Sequence, residues 1–247
     1  MNEFLVRRLS EAERQTNNPN LRPKDAATLL VLDRKEDGNH RVLMGRRHMR
    51  HRFMPGMFVF PGGRVDPADS RVPIAGDYHP GVAEKLLHAM KGPKTQARAR
   101  AFTVAAVRET YEEAGLLVGT PSELAWQGSG DMAAFSDRRL LPDLSPVRLI
   151  ARAITPPRRP RRFDTRFLAV FADAVADRLP SGTGPSGELE DVHWLTLEEA
   201  KSLELPTITL TIIEELQARL ADDPELDPAH PVPFYYWRGQ GFVREEI

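Results

Sequence analysis

Cysteine is absent from the 247-residue chain, which excludes disulfides, thiolate nucleophiles and cysteine-based zinc sites. A charge imbalance is also absent: the formal net charge is −1, which gives no general attraction to nucleic acid or anionic membranes. No apolar run approaches the roughly 18 residues of a membrane-spanning helix, and residues 1–8 lack the apolar core of a signal peptide. These absences predict a soluble, cytoplasmic protein whose partner is neither nucleic acid nor membrane.

The length and the apolar content predict one large domain. With 247 residues, of which 41% are hydrophobic, the chain can bury a full core without dividing into two independent domains. Residues 1–22 are polar and contain Asn17-Asn18-Pro19-Asn20, which predicts a short helix followed by a mobile lead-in. The domain is therefore expected to occupy residues 23–247.

Three glutamates, Glu109, Glu112 and Glu113, are spaced so that a helix would gather their carboxylates on one face. The opposite, buried stripe would consist of Val104, Val107, Tyr111 and Ala114. Like charges at these spacings cost roughly 0.2–0.5 kcal/mol per pair, so a cation is expected beside the carboxylates. Mg²⁺ or Mn²⁺ would serve, because hard divalent cations prefer oxygen ligands. A solvated acidic helix face is the alternative.

The glutamates belong to a longer pattern, which consists of Gly63, Arg108-Glu109, Glu112-Glu113 and Gly115-Leu116. This pattern resembles the two ends of a Nudix box, the signature of the Nudix hydrolases, although Thr110 takes a position that is usually aliphatic. The resemblance implies an α/β/α sandwich with a mixed sheet. It also implies a metal-dependent hydrolase of a nucleoside-diphosphate-linked small molecule. Its metal ligands would be Glu109, Glu112 and Glu113, with Glu112 or Glu113 as general base and Arg108 orienting a glutamate.

The first half of the box is interrupted. Asp69 stands where the family has glutamate, and 38 residues separate it from Arg108, far more than in the usual box. The interruption resembles a Nudix branch with a long insertion, to which coenzyme A diphosphatases belong. Asp69, Asp66 or neither would then pair with Arg108. Within the insertion, about residues 70–100, the apolar spacing of residues 82–90 predicts a helix that either covers the substrate or packs on the domain.

The segment before the box carries candidate substrate contacts. It resembles the signature of coenzyme A diphosphatases at Leu43, Arg47, Arg52, Gly56 and Phe60 to Gly63, but departs from it at Gly45 and His48. Coenzyme A or an acyl derivative is therefore the first candidate substrate. Guanidinium groups match phosphate oxygens with paired donors, so Arg47 and Arg52 are candidate phosphate ligands. Gly62 and Gly63 are expected at the substrate, either with backbone conformations forbidden to other residues or as a plain turn.

Five more residues are weaker candidates. For four of them the alternative is a solvated surface, and for Asp69 it is that Asp66 or neither aspartate takes the role. Arg161 and Arg162 end a basic, proline-rich loop that would bring them near a substrate phosphate. Asp69, Glu188 and Glu190 are candidate auxiliary carboxylates, the last two because an acidic loop before a late strand resembles the family pattern.

The remaining chain predicts the sheet and its covering helices. Strands are expected at 26–32, 41–45, 147–154, 163–171 and 188–195, with a hairpin turn at Asp37-Gly38-Asn39. C-terminal helices and a tail should occupy about 196–247, beginning with a capping box of Thr196 and Glu199. The aromatic tail, 231–242, would close over the substrate, extend a sheet or form a homodimer contact.

Two other functions stay open at this point. One is a Nudix hydrolase of ADP-ribose, a dinucleotide or a nucleotide sugar. The other is a nucleotide-sensing binding protein that kept the fold without activity.

Overall fold

The computed structural model describes residues 2–12, 17–35, 39–50 and 55–247. The helices are α1 Asn2–Glu11, α2 Pro80–Leu87, α3 Gln96–Ala114, α4 Ala133–Asp137, α5 Leu197–Lys201 and α6 Thr207–Asp222. The strands are β1 Lys24–Arg34, β2 His40–Arg47, β3 Phe58–Val59, β4 Gly62–Arg64, β5 Leu116–Val118, β6 Thr120–Pro121, β7 Leu140–Leu141, β8 Arg148–Ile154, β9 Phe163–Phe171, β10 Val175–Arg178, β11 Leu189–Thr196, β12 Pro233–Arg238 and β13 Gly241–Glu246. Arg52 and the predicted turn residues Asp37 and Gly38 lie outside the described residues.

A mixed sheet forms the centre of the molecule. Its strands follow the order β11-β2-β1-β9-β8-β12-β13, with β3 added beside β2 and β4 beside β1. The pairs β1–β9 and β8–β12 are parallel, whereas the other pairs in the sheet are antiparallel. The apolar run from Ala26 to Leu32 makes β1 a strand that is buried on both faces, as a central position requires.

Helices cover both faces of this sheet and enclose one core on each side. The first core contains Leu29 and Val31 of β1 with Phe102, Ala106 and Val107 of α3. The second core packs the alternate residues of β1 against apolar residues of α1, α5 and α6: Leu30, Leu32, Leu9, Leu197, Ile212 and Leu216. Successive side chains of a strand point to opposite faces, which is why one strand serves both cores. The predicted α/β/α sandwich with a mixed sheet is confirmed.

The helix predicted within residues 70–100 is α2. Val82 and Leu86 are buried in the first core, and the Lys85 Nζ donates to the carbonyl oxygens of Pro228 and His230 at 2.8 and 2.6 Å. These contacts favour the packing role for α2, because its apolar face is already used by the domain.

The short helix expected near the N-terminus is α1, and it is docked on the domain. Leu5 and Leu9 are buried, and Arg8 donates to Glu214 Oε1 and Thr211 Oγ1 of α6 at 3.0 and 2.9 Å. The docking itself was not expected: the apolar residues four apart on this helix find a buried site on α6 and β13.

The C-terminal residues form the predicted capping box and complete the sheet. Thr196 Oγ1 accepts from the Glu199 amide at 3.2 Å, and the Thr196 amide donates to Glu199 Oε2 at 2.8 Å. The aromatic tail was expected to close over the substrate, to extend a sheet or to form a homodimer contact. In the structure it extends the sheet: β12 lies beside β8, and β13 pairs with β12. No helix in the described ranges is long and apolar enough to cross a membrane.

Candidate active site

Helix α3 presents the three glutamates near its C-terminal end. The helix begins where Thr95 Oγ1 accepts from the Arg98 amide at 3.2 Å and ends at Gly115, whose φ of 70° gives a left-handed cap. Its buried residues include Val104, Val107 and Ala114, as predicted. We call Glu109, Glu112 and Glu113 the glutamate cluster.

Arg108 joins two members of the glutamate cluster to the first half of the motif. Its Nη1 donates to Glu109 Oε1 at 2.9 Å and to Glu112 Oε1 at 2.7 Å. Its Nε and Nη2 donate to Asp69 Oδ1 and Oδ2 at 3.0 and 3.2 Å. Asp66 pairs with Arg64 instead, at 3.1 Å. The structure therefore selects Asp69 as the partner of Arg108, and Arg108 orients carboxylates as the resemblance implied.

Gly62 and Gly63 lie against the glutamate cluster on β4, opposite Thr28 and Ala27 of β1. The Gly62 amide donates to Glu113 Oε2 at 2.9 Å, and a Cβ on Gly63 would overlap the Glu109 carboxyl group. Neither glycine has a positive φ, so the expectation of a special backbone conformation is wrong. Close approach explains both glycines: a side chain on Gly63 would displace the Glu109 carboxyl group, and a Cβ on Gly62 would overlap the main chain of β1 at Thr28.

Burial shifts the protonation of the glutamate cluster. Removal from water raises the pKa of Glu109 to about 7 and the pKa of Glu113 to about 8, the latter against a hydrogen bond from Gly62 that lowers it. Burial also raises the pKa of Glu112, and the Asp131 carboxyl beside it adds to the rise. Asp131 cannot be recognised from the sequence, since no spacing rule connects residues 130–132 with α3.

Arg47 and Glu188 complete the surroundings of Glu113. Arg47 Nη2 lies 3.9 Å from Glu113 Oε1 and 3.9 Å from Glu188 Oε2, so it stands between the two carboxylates. Glu190 lies further along β11, where its Oε1 is 3.1 Å from His48 Nε2. Of the two candidate carboxylates before the late strand, the structure brings Glu188 to the glutamate cluster through Arg47.

The basic loop that ends at Arg162 makes other contacts. Arg162 donates to the carbonyl oxygens of Thr155 and Leu21 and to Asn20 Oδ1, at 3.0, 2.6 and 2.8 Å. Arg161 is exposed. These contacts support a structural role for Arg162, since they fasten the loop to residues 20–21.

The sequence and the fold have counterparts among known proteins, although no protein-family model matches the chain. A NUDIX hydrolase from Alicyclobacillus acidocaldarius superimposes on 80% of this chain and 92% of its own, with a TM-score of 0.59 and 26% sequence identity. The protein named "Putative nudix hydrolase 7" of Caenorhabditis elegans is 27% identical over 173 residues. The chain is thus similar in sequence and in fold to proteins named as Nudix hydrolases.

A second curated Nudix relative carries a more specific name. Acyl-coenzyme A diphosphatase NUDT19 of Xenopus laevis is 22% identical over 245 residues, which cover 72% of this chain and 63% of the relative. The Caenorhabditis elegans alignment covers 64% of this chain and 48% of that relative. The chain thus spans less than two thirds of the length of either curated relative.

Nudix hydrolases generally use divalent metal ions. Within the described ranges, no group of three or more His, Cys, Asp or Glu side chains is arranged to hold a metal ion. Two of the carboxylates in the glutamate cluster instead accept from Arg108, and the third accepts from Gly62. The chemistry of the donors nevertheless fits a hard cation: all three are carboxylates, and their raised pKa values show that burial disfavours their charged forms, a cost that a bound cation would offset.

Proposed function

We propose that this protein is a metal-dependent diphosphatase that hydrolyses a nucleoside diphosphate linked to a second group. The observation that carries the proposal is the glutamate cluster on the last turns of α3, with Glu113 buried and Glu109 and Glu112 half-buried. Arg108 joins the cluster to Asp69, and the two glycines of β4 lie directly against it. A cluster of this kind is costly for stability, since buried charges require compensation. Its presence is best explained by a charged ligand.

In the proposed reaction, water attacks one phosphorus of the diphosphate, and the P–O–P bond breaks to give two phosphate monoesters. Glu109, Glu112 and Glu113 would hold Mg²⁺ or Mn²⁺, which when bound supplies neutralisation of phosphate oxygens and activation of water. Either Glu112 or Glu113 takes the proton from the attacking water. Arg47 binds a phosphate oxygen, and Arg108 keeps Glu109 and Glu112 in position.

Coenzyme A or an acyl derivative is the substrate that we propose. Two observations support it: the resemblance of Leu43 to Gly63 to the coenzyme A diphosphatase signature, and the relative named acyl-coenzyme A diphosphatase. The products would be a phosphopantetheine, acylated or free, and an adenosine bisphosphate. Arg52, as a ligand for a further phosphate, and a cytoplasmic location stay predictions.

The test is a comparison of substrates with product identification. The purified protein, with Mg²⁺ or Mn²⁺, is incubated with coenzyme A, acetyl-coenzyme A, ADP-ribose, NADH and a nucleotide sugar, and the products are identified by mass spectrometry. We expect the coenzyme A compounds to be turned over fastest. Brisk turnover of another compound, with none of coenzyme A, would reject this substrate and leave a Nudix hydrolase of different preference.

A matched pair of variants separates an enzyme from a nucleotide-sensing binding protein. Glu112→Gln keeps an oxygen acceptor for Arg108 and removes the charge, so we expect turnover to fall on the order of 10²–10⁴-fold. Glu190→Gln removes a carboxylate that contacts His48, outside the glutamate cluster, and should keep most of the activity. Equal, negligible rates for the wild type and Glu112→Gln would favour the binding protein.

A further inference from the structure

The loop formed by residues 179–188, between β10 and β11, closes the end of α3. The Ser186 amide donates to the Glu112 carbonyl oxygen at 2.9 Å, and the Gly184 amide donates to the Glu113 carbonyl oxygen at 3.1 Å. The Leu179 amide donates to the Gly115 carbonyl oxygen at 2.8 Å. The last carbonyl groups of a helix have no partner within the helix, so this loop supplies donors to the two residues whose carboxylates face the site.

Both ends of the 179–188 loop are also fixed. Before it, β10 pairs with β5, the strand that follows α3. After it, the Glu188 carbonyl oxygen accepts from the His48 amide at 3.0 Å, and Leu189 pairs with Arg47 on β2. The loop therefore connects the end of α3 with the strand that carries Arg47, and it sets how Glu188 and Arg47 stand relative to Glu113.

Gly184 makes this docking sterically possible. A Cβ at Gly184 would overlap the main-chain oxygen and carbon of Glu112, atoms that cannot move without moving the helix end. Its φ is not positive, so close approach alone requires glycine there. Gly182, in the same loop, is the reverse case: its φ is 70°, and a Cβ added there would meet no atom within 4 Å.

We propose that Gly184 is a positioning residue for the diphosphatase reaction. By letting the 179–188 loop dock on the main chain of Glu112 and Glu113, it holds Glu188 and Arg47 against Glu113, where the substrate phosphate binds. Gly184 itself touches no substrate and acts through Glu188. This inference rests on the proposed function, and it adds to that function a residue outside the Nudix box.

A double-mutant cycle tests the dependence on Glu188. Gly184→Ala, Glu188→Gln and the double variant are compared with the wild type, and Gly182→Ala is the control for loss of backbone freedom in the loop. We expect Gly184→Ala to lower kcat at least about tenfold with little change in KM, because small misplacements of site groups are expensive. In the Glu188→Gln background, Gly184→Ala should lower kcat less than about twofold, because Glu188 is the group through which Gly184 acts. Full additivity of the two effects would overturn the proposal.

Amide hydrogen exchange tests the docking without reference to activity. The amides of Gly184 and Ser186 should be protected in the wild type and in Gly182→Ala, and should exchange faster in Gly184→Ala. Unprotected amides in the wild type would overturn the proposal even if Gly184→Ala fails to fold. If the wild type turns over no diphosphate, the proposed function fails. The same four proteins of the double-mutant cycle are then compared by their affinity for ADP, measured by calorimetry. Additive losses of affinity would then overturn the role of Gly184.

Discussion

At the scale of single residues, Arg108 explains how three acidic side chains share one small volume. Its guanidinium places donors on Asp69, Glu109 and Glu112 at once, and only 11% of its side chain is exposed. A lysine could not replace it, because an ammonium group lacks the planar fork that reaches oxygens in several directions. The arrangement also orders the carboxylates before any substrate arrives.

Asp69 should be necessary for this order. Asp69→Asn keeps the shape of the side chain but removes the charge next to Arg108, so we expect the free energy of unfolding to fall by about 2 kcal/mol. Asp66→Asn is the matched control: Asp66 pairs with a half-exposed arginine, and its loss should cost less than about 1 kcal/mol. Urea unfolding of the two variants checks this. Equal costs would mean that Asp69 does not hold Arg108.

Gly63 should be necessary for activity for a different reason: it leaves room for the Glu109 carboxyl group. In Gly63→Ala the new methyl group would overlap the Glu109 carboxyl group, the end of a flexible side chain, so the carboxylate moves rather than the strand. We expect turnover to fall on the order of a hundredfold, and the free energy of unfolding to change by about 1–3 kcal/mol. Gly241→Ala, at a glycine without a positive φ where a Cβ would meet no atom closer than 3.3 Å, controls for the added methyl group. Steady-state kinetics with wild-type activity in Gly63→Ala would contradict this explanation.

At the scale of elements, the sequence predicted what depends on local spacing. The i, i+3 and i+4 glutamates, the capping box at Thr196 and the apolar run of β1 each follow from one helix or strand. The contact between Asp69 and Arg108 was only one of several alternatives, because 38 residues separate the two and spacing rules do not extend over such a distance. The docking of α1 and the place of Asp131 were missed for the same reason. The close approach of Gly63 to Glu109 depends on how β1, β4 and α3 pack together. A single sequence does not show that packing.

The strands β8 and β9 share a buried ion cluster that should make stability depend on pH. Burial alone would raise the pKa of Asp164, but Arg152 and Arg166 outweigh it, and the pKa is lowered. Arg152 donates to both Asp164 oxygens at 2.8 and 2.7 Å, and Arg166 lies 2.9 Å from Oδ1. A lowered folded-state pKa gives stability that is present above the unfolded value and lost as the pH falls through the folded one.

Asp164→Asn should therefore lower the free energy of unfolding by about 3–5 kcal/mol near neutral pH, because it removes the carboxylate partner of Arg152 and leaves Arg166 with the more distant carboxylate of Asp25, at 3.7 Å. The difference from the wild type should shrink as the pH falls below about 4, where an unfolded aspartate becomes protonated. Urea unfolding of the wild type and Asp164→Asn at a series of pH values measures this difference in the free energy of unfolding. Asp177→Asn, which breaks an exposed pair with Arg138, is the control and should cost less than about 1 kcal/mol at any pH. A difference that does not change with pH would exclude titration of Asp164 as the cause.

At the scale of the whole molecule, the sheet separates the site from much of what stabilises the fold. The glutamate cluster belongs to α3, which packs on the first core, whereas α1, α5 and α6 pack on the second core across the sheet. The strands that carry Gly62, Gly63 and Arg47 are held by main-chain pairing in the sheet. A loss of packing in the second core should therefore reach the site only through the rigid sheet.

Leu5→Ala tests this separation. Leu5 is fully buried on α1, so removing its side chain should lower the free energy of unfolding by about 2–5 kcal/mol, while Leu124→Ala, at a leucine that is 54% exposed, should change it by less than about 0.5 kcal/mol. Because α1 lies across the sheet from the glutamate cluster, kcat and KM of the folded Leu5→Ala protein at 25 °C should stay within about twofold of the wild type. Thermal unfolding and steady-state kinetics on the same preparations measure both effects. A large loss of kcat at a temperature where the variant is still folded would show that the two cores are coupled, and that α1 helps to set the geometry of the site.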